Sequence, residues 1–214
     1  IKLLSGSNVT LKNVTTDLGG RNISVEKGVD SANLNIIESN ITTASNYIIA
    51  TDASSNQTGK NVAINIKKSH LTVSDAAGDN AGVLLNVPGT LNIENSTITA
   101  DRQAVIVRCG TATIKDSELV CTAKNNGLWT TYDGKTWGNG NEVPVAALVA
   151  GNRSGAGAYP YDTTCTLSNT TVTLNGDRLP VYAAAYNGYT TTISGVAKDK
   201  ITQSKDDDSK IVIK

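Results

Sequence analysis

One short pattern of hydrophobic and polar positions recurs along most of the 214 residues of the chain. In each copy, an alternating apolar, polar, apolar triplet is followed by two polar residues, a Ser or Thr, any residue, and another apolar residue. The clearest copies span residues 34–41, 64–71, 91–98, 112–119 and 165–172, and weaker copies begin at Val9 and Thr191. Alternation with a period of two predicts strands, and the interrupting polar pair predicts a bend between two strands.

A third apolar strand precedes most copies, at residues 47–50, 83–87, 104–109, 145–149 and 180–185. Three short strands separated by bends are typical of one coil of a parallel β-helix, in which every coil pairs with its neighbours. The shortest interval between equivalent positions, Ile93 to Ile114, fits the perimeter of a three-sided coil. We therefore predict an all-β solenoid of about seven coils in one domain, residues 1–214. A sandwich of antiparallel strands is the alternative, but it would need no in-register motif.

The aligned copies predict which side chains stack on each other. One inward column is expected to contain Ile36, Ile66, Ile93, Ile114, Leu167 and Ile193, and a second Ile41, Leu71, Ile98, Leu119 and Val172. A column of hydroxyls, which we expect to bond to bend amides, contains Ser39, Ser69, Ser96, Ser117 and Thr170. The outward positions of the third strand are expected to be Leu84, Asn86, Ile106, Arg108, Leu148 and Ala150.

Composition and charge narrow the function classes. The chain has 19 basic and 19 acidic residues, so it lacks the basic footprint of a nucleic-acid-binding protein. No apolar stretch reaches the ~18 residues of a membrane-spanning helix, and we expect no membrane insertion. The ends of the chain are strand-like, so we expect a fragment of a larger modular protein. We expect this module to be monomeric. Three cysteines, expected to be buried free thiols, are Cys109, Cys121 and Cys165.

The segments LNIENSTITA, ATIKDSELVCTA, CTLSNTTVTLNG and GNEVPVAALVAGN give the chain a family likeness. The chain resembles the right-handed parallel β-helix regions, of pectate-lyase-like type, in surface proteins of gut Gram-positive bacteria. Such regions usually belong to wall-anchored adhesins, and related β-helices serve as polysaccharide lyases and hydrolases. The resemblance implies an extracellular, modular protein of the cell surface that binds something outside the cell.

Residues suited to catalysis are scarce in this pattern. An enzyme of this fold needs several charged groups on the outward faces of adjacent coils, whereas the outward third-strand column contains only Arg108, expected to be an ordinary surface arginine. His70 falls at an outward strand position and is expected to be solvated. We therefore predict no catalytic residues, with a polysaccharide lyase or glycosidase as the enzymatic alternative. Asp75, Asp79 and Asp101 fall near one corner, where carboxylates could share a calcium ion, but Asp is a common turn residue and turn capping is the favoured explanation. No other cofactor or metal site is predicted.

The aromatic residues are concentrated outside the repeat. Eight of the nine aromatics fall between Trp129 and Tyr189, most of them in two loop insertions at residues 124–142 and 152–163 or at the next corner. Loops on a stiff scaffold often carry binding residues, and aromatic faces stack on sugars and anchor protein interfaces. The predicted ligand-binding residues are Trp129, Tyr132, Trp137, Arg153, Tyr159, Tyr161, Tyr186 and Tyr189, although packing of the insertions against the coils explains the same clustering.

Three functions are compatible with this sequence. The first is a non-catalytic binding module of a bacterial surface adhesin, which recognises a host glycan or a host protein such as immunoglobulin. The second is the lyase or glycosidase, which requires a groove lined with carboxylates. The third is a structural stalk that extends other modules away from the cell wall.

Overall fold

The computed structural model describes residues 1–44, 47–51, 58–74, 81–123, 145–152 and 159–214. These residues form strands in three parallel sheets, with one short 3-10 turn at Lys198–Lys200. The insertion at 124–142 lies outside the described residues, as does the 153–158 part of the second insertion. Within the described ranges, no helix combines the length and hydropathy needed to cross a membrane.

Each sheet contains strands that are far apart in the sequence. Sheet A contains, in spatial order, β1 (Lys2–Leu3), β4 (Ile23–Val25), β7 (Tyr47–Thr51), β10 (Ala81–Leu85), β13 (Gln103–Val107), β16 (Leu148–Ala150), β19 (Val181–Ala185) and β21 (Ile201–Lys205). Sheet B contains β2 (Asn8–Lys12), β5 (Asp30–Ile37), β8 (Lys60–Lys67), β11 (Gly89–Glu94), β14 (Gly110–Lys115), β17 (Thr163–Ser168), β20 (Thr190–Ser194) and β22 (Lys210–Ile213). Sheet C contains β3 (Thr15–Asp17), β6 (Asn40–Thr43), β9 (His70–Val73), β12 (Thr97–Ala100), β15 (Glu118–Cys121) and β18 (Thr171–Leu174).

The chain visits sheets A, B and C in turn, which is the connectivity of a parallel β-helix and confirms the predicted fold class. The described strands make eight turns, close to the predicted seven, because sheets A and B are both 8-stranded. Sheet C is 6-stranded, so the last two turns contribute described strands only to sheets A and B.

Stacked aliphatic side chains form the core between the sheets. In sheet B, the register Ile36↔Ile66↔Ile93↔Ile114↔Leu167 is as predicted, and all five side chains are buried. The second column, in sheet C, also pairs as predicted from Ile41 to Val172. Burial of one such side chain contributes roughly 1.5–3 kcal/mol, so repeated columns stabilise the stack without aromatic residues.

Two register predictions are wrong. Ile193 pairs with Cys165 and not with Leu167, because Gly195 bends the chain earlier in that turn. In β16, Val149 pairs with Ile106 on the outer face, whereas Leu148 and Ala150 belong to the central core. The long insertion before β16 separates this strand from the repeat, so the sequence spacing did not determine which of its residues face the core.

The bend between sheets B and C is the same in six successive turns. A single residue in the left-handed region makes each bend, at Asn13, Glu38, Lys68, Asn95, Asp116 and Asn169. In the first bend the next residue is Val14; in the other five it is a Ser or Thr, which donates its hydroxyl to the carbonyl two residues earlier, as Ser96 Oγ does to Glu94 O at 2.8 Å. The same oxygen accepts the backbone N–H of the preceding turn, as Ser96 Oγ does from Ser69 N at 3.1 Å. The four serines of the predicted hydroxyl column therefore satisfy bend amides as expected, whereas Thr170 donates to the carbonyls of Ile114 and Ser168.

Sheet A differs from the other two because both of its faces are buried in its central part. Its outer face carries a second apolar cluster of Tyr47, Ala50, Ala81, Leu84, Ile106, Ala146 and Val149, against which Tyr182 packs. Parallel sheets buried on both faces have continuous apolar strands, and β10 reads AGVLL accordingly. Groups on this outer face are therefore shielded from water.

Candidate binding site at the corner of sheets A and B

The structure describes four of the eight predicted ligand-binding residues. Tyr159, Tyr161, Tyr186 and Tyr189 lie within the described ranges. The other four, which lie outside the described residues, are Trp129, Tyr132, Trp137 and Arg153. The described tyrosines flank β17, β19 and β20, near the corner where the chain passes from sheet A to sheet B.

Tyr159 lies in the interior and offers no exposed surface to a ligand. Its side chain is fully buried, and the guanidinium carbon of Arg108 lies 5.9 Å from the centre of its ring, within cation–π range. Arg108 is only 1% exposed and its Nη1 donates to the carbonyl of Gly151 at 3.4 Å. The expectation that Arg108 is a surface arginine is therefore wrong, because the outer face of sheet A is covered. Tyr159 and Arg108 therefore form a buried contact beneath the surface of this corner.

Tyr161 and Tyr189 occupy equivalent positions on neighbouring turns. Thr163 of β17 is in register with Thr191 of β20, and the carboxylate of Asp162 accepts the N–H of Thr190 at 2.7 Å. Tyr161 and Tyr189 each lie two residues before these paired threonines, one turn apart along the solenoid. Tyr161 is 39% exposed and Tyr189 is half-buried, so the corner presents two aromatic side chains to solvent.

Tyr186 is held by hydrogen bonds from two neighbouring segments. The side chain of Asn152, itself buried, accepts the N–H of Tyr186 and donates to its carbonyl, both at 2.8 Å. The Tyr186 hydroxyl also forms a hydrogen bond with Ser204. Burial raises the pKa of neighbouring Tyr182, and a hydrogen bond with Ser204 opposes this effect. The Tyr182 hydroxyl is therefore a neutral donor and acceptor at physiological pH.

The turn after Tyr186 is fixed by the last turn of the solenoid. Asp206 accepts the N–H of Asn187 at 2.7 Å, and Ser209 Oγ accepts the N–H of Gly188 at 2.9 Å. A hydrogen bond from the Ser209 side chain, together with that from Asn187, holds the pKa of Asp206 below its ordinary value. The tyrosine corner, which we define as Tyr161, Asp162, Tyr186 and Tyr189, is therefore ordered before any ligand binds.

This corner has the chemistry of a binding surface. Tyrosine rings provide flat apolar faces with a polar edge, and exposed Asp162 provides carboxylate oxygens that accept hydroxyl donors. Burial raises the pKa of all three cysteine thiols to about 12, so none of them is a nucleophile. His70 lies on sheet C, exposed, between Asn40 and Thr97. Within the described residues, these groups do not assemble a nucleophile and base.

The predicted calcium ligands are only partly described. Asp75 and Asp79 lie outside the described residues. Asp101 is buried and accepts a hydrogen bond from Thr122 Oγ1 at 3.1 Å, which is a turn-stabilising contact. Among the described residues, no group of three or more His, Cys, Asp or Glu side chains is arranged to hold a metal ion.

Sequence reasoning did not identify Asn152 and Asp162 as residues of the corner. Both are short polar residues at the ends of strands, a pattern that is common in turns. Alignment of Thr163 with Thr191 would have placed Asp162 beside Thr190, but the sequence repeat aligned Thr191 with Cys165 instead. Neither the known protein-family models nor the sequences of curated proteins match this chain.

Proposed function

We propose that the chain is a non-catalytic binding module of an extracellular bacterial surface protein and that its tyrosine corner binds a glycan. The observation that carries this proposal is the pairing of Tyr161 and Tyr189 on neighbouring turns beside the exposed carboxylate of Asp162. Aromatic faces stack on the C–H faces of sugar rings, while carboxylates accept hydrogen bonds from sugar hydroxyls. Two tyrosines on neighbouring turns offer more than one aromatic face to a bound saccharide.

The order of the corner also supports binding. Asn152, Ser204, Asp206 and Ser209 fix the segment around Tyr186 through backbone and side-chain hydrogen bonds. A surface that is already ordered loses little conformational entropy on binding, which favours measurable affinity from a small contact area. The extracellular location and the adhesin context rest on the family resemblance of the repeat segments.

The test is a glycan array probed with the wild-type chain, followed by titration calorimetry with any glycan that is retained. Tyr161→Ala and Tyr189→Ala should each weaken binding by about 0.5–1.5 kcal/mol, or roughly two- to tenfold. Tyr161→Phe is the matched control, because it keeps the aromatic face and should stay within about twofold of wild type. Thermal unfolding of each variant establishes that the fold is intact.

Other outcomes point to the alternative functions. A silent array together with capture of a serum or mucus protein, lost in Tyr161→Ala, would establish a protein partner such as immunoglobulin. Release of reducing ends or unsaturated products from polysaccharides would establish the lyase or glycosidase. If no ligand depends on Tyr161 or Tyr189, the corner is structural and the stalk function becomes the better account.

A further inference from the structure

Sheet C ends earlier than the other two sheets. Its last described strand is β18, and in the next turn the chain passes from β20 through Gly195 and the 3-10 turn at Lys198–Lys200 into β21. Gly195 has φ +81°, and a Cβ built on it would lie 1.8 Å from the carbonyl oxygen of Leu167. Gly195 thus packs directly on this carbonyl, and the segment after it leads to β21 and not to a sheet C strand.

The free edge of β18 presents backbone hydrogen-bonding groups. Thr171 N donates to Ser117 O and Asn175 N donates to Cys121 O, each at 3.0 Å, so the odd-numbered residues of β18 face β15. Since N–H and C=O groups alternate sides along a strand, the groups of Val172 and Leu174 face away from β15. No strand among the described residues pairs with this edge, and such a row of groups is a template for another strand.

The apolar side chains at this edge are incompletely covered. Val172 stacks on Leu119 and Leu174 stacks on Cys121, in columns that are fully buried in the preceding turn. Val172 and Leu174 are themselves only half-buried. A further strand with small apolar residues at alternate positions would extend both columns and remove this surface from water.

A groove lies between β18 and the segment around the 3-10 turn. Its volume is about 470 Å³, within the ~300–1,000 Å³ range of ligand pockets. Its described lining includes the apolar residues Val172, Leu174 and Val196 and the cationic residues Arg178 and Lys200, and it includes no acidic side chain. Asp177 and Asp199 adjoin these cations in the sequence without being part of that lining.

We propose that this groove, the β18 groove, binds an extended acidic peptide segment of another protein as an added strand of sheet C. Main-chain pairing with Val172 and Leu174 would supply affinity, and alternate apolar side chains would fill the two columns. Lys200, on the lining, favours peptides with Asp or Glu at their outward or terminal positions. This site is separate from the tyrosine corner and does not depend on the glycan proposal.

The test uses an array of seven-residue peptides with Val, Ile or Thr at alternate positions. The intervening positions are acidic, neutral or basic in three matched sets, and scrambled versions remove the alternation. The wild-type chain should retain acidic alternating peptides most strongly and basic or scrambled ones least. Methylation of the peptide amides that pair with β18 should weaken binding by about tenfold, because it removes donors from the added strand.

A pair of charge reversals tests the groove itself. Lys200→Glu should weaken binding of the acidic peptides by roughly three- to tenfold. Lys198→Glu is the matched control, since Lys198 lies in the same 3-10 turn but outside the groove lining, and it should change binding by about twofold or less. Tyr161→Ala should leave peptide binding unchanged, so failure at one site is distinguishable from failure at the other.

Amide hydrogen exchange reports on strand addition directly. Saturation with an acidic peptide should slow exchange at Val172 and Leu174 by about tenfold or more and leave Thr171 and Thr173 nearly unchanged. Absence of binding by every acidic alternating peptide would overturn the proposal, as would binding without protection of these two amides. Dimerisation through this edge, or binding of anionic oligosaccharides instead of peptides, would also overturn it.

Discussion

Removal of the Ser96 hydroxyl, at the bend between sheets B and C, should measurably lower the free energy of unfolding of the solenoid. In Ser96→Ala, the N–H of Ser69 loses its acceptor at 3.1 Å, and Ser69 is fully buried. The carbonyl of Glu94 loses one donor but still accepts the N–H of Lys68 at 3.0 Å, so only one polar group is left without a partner. An orphaned buried amide costs about 1–3 kcal/mol, and we therefore expect a loss of about 2 kcal/mol.

Equilibrium denaturation in urea measures this loss, and thermal unfolding provides an independent value. A change of about 2 kcal/mol in a chain of this size should lower Tm by roughly 4–8 °C. Ser168→Ala is the control, because Ser168 is exposed and lies just before the bend of its own turn. If Ser96→Ala and Ser168→Ala both changed the free energy of unfolding by less than about 0.5 kcal/mol, the hydroxyl column would be incidental to stability.

Two further predictions concern ionisable groups. The three cysteines, with pKa values raised to about 12 by burial, should resist alkylation in the native protein at pH 8 and react fully in urea, as measured by mass spectrometry; fast native labelling would contradict their burial. The carboxyl of Asp206 should titrate below its ordinary pKa by NMR, so its stabilising contribution is present above that pKa and is lost as pH falls through the lowered value; Ser209→Ala should return the pKa toward normal.

The regular part of the fold was predictable because local and long-range signals agree there. Alternation, the polar pair and the Ser or Thr all recur at fixed spacing, and each fixes the register of sheets B and C independently. Which residues of β16 face the core could not be predicted from the sequence, because a long insertion separates this strand from the repeat. It also misplaced β20, where the glycine at 195 shortens the turn.

The candidate sites were less predictable than the fold. Tyr161 and Tyr189 were identified as aromatics outside the repeat, but their pairing depends on the register of β17 with β20. The burial of Tyr159 and Arg108 depends on coverage of the outer face of sheet A, which no local pattern encodes. The β18 groove arises where a strand is missing from a turn, and an interruption of this kind is invisible to a search for repeated motifs.

The uniform bend between sheets B and C determines where this chain tolerates changes in length. In six turns that corner uses one left-handed residue and one following residue, whereas the link from sheet C to sheet A ranges from residues 101–102 in one turn to residues 122–147 in another. The connection from sheet B to sheet C thus has the same length in each of these turns, whereas the connections beside sheet A vary in length. Foreign loops grafted at the corners beside sheet A should leave the register of the stacked strands intact. A single residue inserted at the B–C corner should disrupt that register. The chain is therefore a scaffold with defined insertion points.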